Sequence, residues 1–333
     1  MRKLHVIFSV VLIVFSLSCN EKIHHVSKPQ LGTIVNLTII SDSSTASQAS
    51  SAAFKEIDRI ENMMSPYKKG SDIQKIRFSR GKIIELNSET WNLIDRSLGI
   101  SKETKGAFDI TFASLSGLWN FKRKNFIPPS HEMVKKRLTL VDYRKVQLYP
   151  EEKIRVPSGM RIGLGGIAKG YAIARASYIL KKHGIKNAIV EEGGDLQVLG
   201  NKFGSPWKTG IMHPRDKTLI AVIKMRDGES IATSGDYERF KRFKGKRYHH
   251  IIDPRSGFPA ESFISVSVLS KDPVLSDAYA TAFSVMKLNE IKTFLKKYPD
   301  LGVILVDRKM NIFITKGIRK RLTLAPGLKV RWF

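Results

Sequence analysis

The apolar positions of this chain fall into runs with two different periods, and the breaks between the runs delimit its elements. After an opening apolar stretch at 6–17, residues 21–30 are polar and read as a tether. Residues 33–40 are strand-like, and 41–47 form a polar turn. Ala49, Ala53, Phe54, Ile57, Ile60 and Met64 then recur at helical spacing until Ser65-Pro66 stops the helix. A second amphipathic helix is predicted over 87–105, with Trp91, Ile94 and Leu98 inward and Gly106 as its terminator. Residues 122–136 make a polar excursion with a short helix, and 146–148 and 154–156 pair as short strands.

Farther along, a Gly-rich turn leads into a helix ending at His183-Gly184, and strands 188–191 and 196–199 flank Gly193-Gly194. Strands at 219–225, 248–252 and 263–269 follow, then helices near 276–287 and 290–297, then strands 303–306 and 312–314. Strands and helices mix without strict βαβ alternation, which predicts an α+β fold of mixed sheets with packed helices. No fixed-period repeat and no clear linker divides the chain after its first thirty residues. The domain reading is a signal peptide at 1–18, a lipidated N-terminus and tether at 19–30, and one domain over 31–333.

Hydrophobic residues at 42% and charged residues at 26% are ordinary for a globular protein. The N-terminus is more telling. Arg2 and Lys3 precede the 6–17 run, which is too short to cross a bilayer, since a span takes about 20 apolar residues. A basic start, a short apolar run and small residues beyond it read as a secretion signal. The single cysteine, Cys19, follows Ser16-Leu17-Ser18 and is the first residue that cleavage would leave. A lone Cys makes no internal disulfide. It reads instead as a lipidation site, holding an exported protein at a bacterial membrane and facing the periplasm or cell exterior; an ordinary signal peptide that happens to contain Cys is the alternative.

Loss of the signal lowers the formal net charge from +27 to +25. The cations are scattered, with modest clusters at 241–247 and 319–321. No array of aromatics interleaves with them as a nucleic-acid groove requires, so no nucleic-acid partner is expected. A solvated basic surface near anionic lipid is the better reading.

Three segments carry candidate chemistry. Gly163-Leu164-Gly165-Gly166-Ile167-Ala168-Lys169-Gly170 sets glycines before a helix, where backbone N–H groups can approach an anion; a tight helix entry is the plainer alternative. The string also satisfies G-x-G-x-x-A, the fingerprint of a nicotinamide dehydrogenase, but no buried strand precedes it and no acidic residue closes a second strand at the required distance. On a helix, Asp277 and Thr281 share one face, and carboxylate plus hydroxyl is a partial shell for Mg²⁺. Asp277 reads there as a partly solvated carboxylate, and a Thr bonded to its own i−4 carbonyl is the competing account. His249-His250 ends a strand in a polar turn that runs to Gly257, where a His serves as a base, a phosphate ligand or a structural residue. Residues 232–237 read as a small-residue loop, and Glu192-Gly193-Gly194-Asp195 and residues 106–111 read singly as turns.

In this order, the segments resemble the ApbE family. The match runs through Leu31-Gly32-Thr33, Ser65-Pro66-Tyr67 with Ser71-Asp72-Ile73, Ala107-Phe108-Asp109, Leu118-Trp119, residues 165–171, Gly193-Gly194-Asp195, Thr233-Ser234-Gly235, residues 250–254, and 277–281. It spans about 30–287. The resemblance implies two closely associated lobes around a central FAD cleft. It also implies an FAD:protein FMN transferase, which cleaves FAD to AMP and attaches FMN by a phosphoester to a Thr or Ser hydroxyl of an acceptor flavoprotein subunit.

By the same resemblance Asp277, Thr281 and a carbonyl at Gly166 hold Mg²⁺ against the diphosphate, and Lys169 pairs with phosphate or nearby polar groups. Leu31, Tyr67, Ala107, Phe108, Asp109 and Ile251 line the FAD site, and His250 is the base for the incoming hydroxyl. The chain departs from the family's pattern at Gly163 and Ala174, where Asp is common, and at Leu31, where Met usually precedes the Gly. An FAD-binding or FAD-hydrolysing lipoprotein without a protein acceptor shares every one of these ligands.

Overall fold

The computed structural model describes residues 21–121 and 123–333. The signal segment and Cys19 lie outside the described residues. One sheet of nine strands runs through the molecule in the spatial order Lys22–Gln30, Thr33–Ser41, Asn187–Glu192, Asp195–Leu199, Ser230–Gly235, Phe263–Ser270, Gly302–Asp307, Ile312–Ile314, Val330–Trp332. Neighbours are antiparallel except the last two strands, which are parallel.

Successive side chains on a strand point to opposite faces, so this sheet serves two cores. Val35, Leu37, Ile39, Val190, Val266 and Leu305 pack toward the helices. Ile40, Val198, Ile231, Ile264 and Ile304 face the other way, onto Trp207, Ile211 and Ile223 of a three-stranded sheet formed by Lys208–Met212, Leu219–Lys224 and Leu322–Leu324. The α+β architecture of mixed sheets and packed helices read from the sequence is the one the structure has.

Among the described residues seven α-helices follow in chain order: α1 (Ser43–Met64), α2 (Asp72–Phe78), α3 (Ser88–Glu103), α4 (His131–Leu138), α5 (Ala168–Lys182), α6 (Pro273–Val285) and α7 (Leu288–Leu295). Helix α1 begins earlier than its apolar period suggests. The expected polar turn at 41–47 is its cap and first turn, where Asp42 accepts the N–H groups of Ser44 and Thr45, each at 3.0 Å. Helix α6 likewise starts at Pro273 behind an Asp272 cap, three residues before the expected 276.

Two other expectations are corrected. Residues 21–30, read as a tether, contain an edge strand that pairs residue for residue with Thr33–Ser41. Its Lys, His and Pro side chains are of the kind that keep a sheet edge from pairing with another chain. Residues 232–237, read as a loop, mostly belong to a central strand, Ser230–Gly235, where small side chains let α6 come close: Ser230 Oγ lies 2.7 Å from Ser276 Oγ. A small outlying cluster of Trp119, Phe126 and Val134 supports a separate hairpin of Phe240–Phe243 and Lys246–His249.

Candidate active site

Helix α5 enters from the Gly-rich loop and crosses α6 at Gly170. A Cβ there would sit 2.2 Å from the Pro273 carbonyl oxygen and 2.9 Å from Asp277 Cβ, so only glycine permits the approach. Gly170 is the third residue of α5, and the N–H groups of a helix's first turn find no acceptor within the helix; this one donates to Asp277 Oδ2 at 2.9 Å. The Gly166 carbonyl, just before the helix, accepts no hydrogen bond among the described residues, at a position whose Cβ would lie 3.2 Å from Thr281 Oγ1 and 3.3 Å from Phe108 Cε2.

Thr281 is also uncommitted. Ser97, Ser101, Ser284 and Thr293 each donate to their own i−4 carbonyl, but the Thr281 hydroxyl makes no such bond among the described residues. Asp277 is not the partly solvated carboxylate expected from the sequence: it is 3% exposed. Burial pushes its pKa up, to about 6, against the downward pull of Lys169. Lys169 itself is held above the ordinary lysine value, because Asp195 and Asp277 outweigh the desolvation that opposes its charge. Its ammonium pairs with Asp195 Oδ2, while Asp195 Oδ1 accepts the Thr233 N–H at 2.8 Å.

His250 stands at the base of the separate hairpin. Its Nε2 lies 3.9 Å from Glu238 Oε2, its Nδ1 is buried without a partner among the described residues, and its backbone N–H donates to the Arg239 carbonyl at 3.0 Å. Burial, then the Arg239 charge, pushes its pKa down to about 4, and Lys169 adds to the effect. The imidazole is therefore neutral at physiological pH.

The remaining sequence-read residues divide. Phe108 (4% exposed) and Ala107 are buried, and Phe108 sets its ring edge against Gly166. Ile251 is buried in the helix-side core. Leu31, at φ 51, occupies the two-residue turn between the first two strands. That turn abuts the Gly193-Gly194 turn, since a Cβ on Gly193 would meet Thr33 Oγ1 at 3.0 Å. Asp109 spends both oxygens inside the fold, on the Thr111 N–H and hydroxyl and on the Tyr143 N–H. Tyr67, between α1 and α2, is 90% exposed, and among the described residues its ring stacks on no other ring. Gly163 has a local cause: a Cβ there would come within 2.8 Å of Ala113 Cβ, so an Asp would require Ala113 to shift.

One residue escapes the sequence reading. Glu192 continues the inward row of Ala188 and Val190, is 1% exposed, and leaves both carboxylate oxygens buried with no hydrogen bond among the described residues. Desolvation pushes its pKa up to about 9, with Lys169 opposing and Asp277 and Asp195 adding to the rise. The signal was its place in an otherwise apolar, alternating row.

Among the described residues no group of three or more His, Cys, Asp or Glu is placed to hold a metal. One carboxylate, one hydroxyl and one carbonyl nevertheless make a fitting partial shell for Mg²⁺, which takes hard oxygen donors and completes its octahedron with water and phosphate oxygens.

The sequence model of the ApbE family matches residues 31–305. A Vibrio cholerae protein named FAD:protein FMN transferase is 31% identical, with 79% of this chain and 81% of that one aligned. A Treponema pallidum protein of the same name is 28% identical over 88% of this chain and 86% of its own. The solved ApbE protein of Thermotoga maritima superposes with a TM-score of 0.84 at 32% identity, covering 90% of this chain and 99% of that one.

Proposed function

The chain belongs to the ApbE family, and from that premise we propose that it acts as an FAD:protein FMN transferase with a Mg²⁺-assisted centre where α5 meets α6. The observation that carries the reading is the set of uncommitted oxygens there. The Gly166 carbonyl, the Thr281 hydroxyl and one Asp277 oxygen have no hydrogen bond among the described residues, beside a lysine held in its charged form. Phosphoryl transfer asks for positioning and charge neutralisation more than for covalent help, and this arrangement supplies both.

In this account Gly166, Asp277 and Thr281 hold Mg²⁺, which when bound neutralises charge on the diphosphate. Lys169, oriented by Asp195, faces the phosphates. The acceptor's Thr or Ser oxygen bonds to the FMN phosphorus, the bond from that phosphorus to the AMP oxygen breaks, and the hydroxyl proton passes to neutral His250. Leu31 and exposed Tyr67 border the flavin side of the cleft, with Ala107, Phe108, Asp109 and Ile251 forming its wall from behind. Cys19 carries the lipid that keeps the enzyme on the outer side of a bacterial membrane, among exported or membrane flavoproteins.

The test is incubation of the purified protein with FAD, MgCl₂ and candidate acceptor proteins, followed by denaturing electrophoresis and mass spectrometry. The expected result is flavin fluorescence covalently held on an acceptor Thr or Ser, abolished by EDTA. Release of free FMN and AMP with no labelled acceptor would instead make the protein a hydrolase.

A further inference from the structure

Residues 239–247 read Arg-Phe-Lys-Arg-Phe-Lys-Gly-Lys-Arg, with six cations and no acidic residue in nine positions. They build the hairpin of Phe240–Phe243 and Lys246–His249, closed by Lys244-Gly245 at φ 46 and 76. Cross-strand partners share a face, and here Arg242 stands opposite Arg247. Like charges so placed cost stability.

Internal neutralisation is thin. Arg247 reaches Asp236 at 3.4 Å, but Asp236 already accepts both arms of Arg215, at 2.6 and 2.8 Å. Lys246 meets Glu261 at 3.4 Å on the exposed surface. Lys241, Arg242 and Lys244 have no ion pair among the described residues.

The hairpin is nonetheless held in place. Tyr248, on its other face, packs on Trp119 and Phe126 with ring centroids 5.9 and 5.8 Å apart. The supporting segment adds two more exposed cations, Arg123 and Lys124. The base of this arm is the active site itself, because Glu238 and Arg239 lead into it and His250 leaves it. Four strand residues rise about 13 Å, so the tip lies within reach of an extended peptide whose hydroxyl rests at His250.

We propose that this hairpin is the docking arm for the acceptor protein and selects acceptors bearing carboxylates within a few residues of the modified hydroxyl. The inference rests on the transferase reading of the site. Charge complementarity names the occupant: Arg242 beside Arg247 on one face, Lys241 on the other and Lys244 at the turn crowd cations around the arm's outer end, and an anionic chain lying against it relieves the Arg242–Arg247 repulsion. A lipid surface would be served by any exposed cluster, whereas only a chain entering the site must pass along one that ends at His250.

The test uses a labelled short peptide with one Thr flanked by Glu, and its isostere with Gln for Glu. Binding to the intact protein and to the Lys241→Glu/Arg242→Glu/Lys244→Glu variant is followed by anisotropy, with FAD affinity measured on both proteins. The acidic peptide should bind the intact protein about tenfold or more tightly than its isostere at low salt, and the preference should fade as salt rises. The variant should lose the preference, keep its FAD affinity and melt no lower than its parent, since reversal of Arg242 removes the clash with Arg247.

Equal binding of the two peptides, binding of neither, or a preference surviving in the variant would overturn the proposal. So would a variant that loses FAD affinity instead, or one that loses only its binding to phosphatidylglycerol-rich vesicles. Failure of FAD to bind the intact protein is a separate outcome, and it would overturn the transferase reading on which this one stands.

Discussion

Under the proposed function Asp277 would serve two needs at once, which decides how it should be tested. One oxygen holds the Gly170 N–H at the α5–α6 crossing, and the other, unbonded among the described residues, would be the one to meet a metal. Asp277→Ala would orphan a buried N–H, a defect of about 1–3 kcal/mol that confuses folding with chemistry. Asp277→Asn keeps an acceptor for that N–H while removing the charge. It should melt near the parent temperature yet lose FMN transfer by orders of magnitude, with little remaining response to Mg²⁺; a normal rate with normal Mg²⁺ dependence would move the metal elsewhere. Glu192 calls for a pH experiment. Its carboxyl ionises near the ordinary 4.5 in the unfolded chain and near 9 in the folded one. Folding therefore binds a proton between those values, and the stability that the neutral form contributes is whole below about 4.5 and drains away as pH rises through about 9. Glu192→Gln has the same shape and does not titrate. The two proteins should melt alike near pH ~4, and the variant should melt higher near pH ~8; superimposable melting across that range would show that the folded protein leaves the carboxyl freely ionised.

At the scale of elements, the crossing of α5 and α6 is the constraint that assembles the site, and Gly170 sets its distance. Gly170→Ala drives a methyl into the Pro273 carbonyl. The expected loss is at least the 1–3 kcal/mol typical of overpacking, seen as a lowered melting temperature and weakened Mg²⁺ response. Gly165→Ala is the control, since a Cβ there meets nothing within 4 Å. Elements with one polar face were legible: α1 buries Ala49, Ala53, Ile57 and Ile60 as read, and in α3 Ile94 is buried with Trp91 and Leu98 packed partly buried against the core, although Leu93 and Ile100 lie deeper. The edge strand Lys22–Gln30 was not, because an edge that must stay soluble looks like a tether. The central strand Ser230–Gly235 was not either, because sheet centres covered by a close helix use the small residues that loops also use. For the candidate site, it was the resemblance to the ApbE family, carried by the order of the segments, that implied Gly166, Lys169, Asp277 and Thr281 together. What no pattern contained was the capping of the Gly170 N–H by Asp277 and the burial of Asp277, which arise from contacts between segments far apart in sequence; the alternating row hinted only that Glu192 is buried, not that it lacks a partner.

For the whole molecule, the surplus of cations and the N-terminal cysteine make two separable claims about where the enzyme sits. Among the described residues no helix is long and apolar enough to cross a membrane, so residence at a bilayer would rest on charge, on lipid at Cys19, or on both. The two respond differently to salt. Attraction of a basic surface to anionic headgroups is screened once the Debye length shrinks to about 3 Å near 1 M salt. An acyl anchor, worth about 0.8 kcal/mol for each buried methylene and stable when several chains act together, is indifferent to it. The full-length protein should therefore sediment with membranes and stay there through a high-salt wash. Cys19→Ser should sediment only at low salt, held by its charge, and wash off at high salt, while FMN transfer to a soluble acceptor stays at the parent rate because residues 31–305, which the family match covers, are untouched. Release of the parent protein by salt alone would mean that charge is the whole attachment, and retention of Cys19→Ser through the wash would mean that the cysteine carries no anchor.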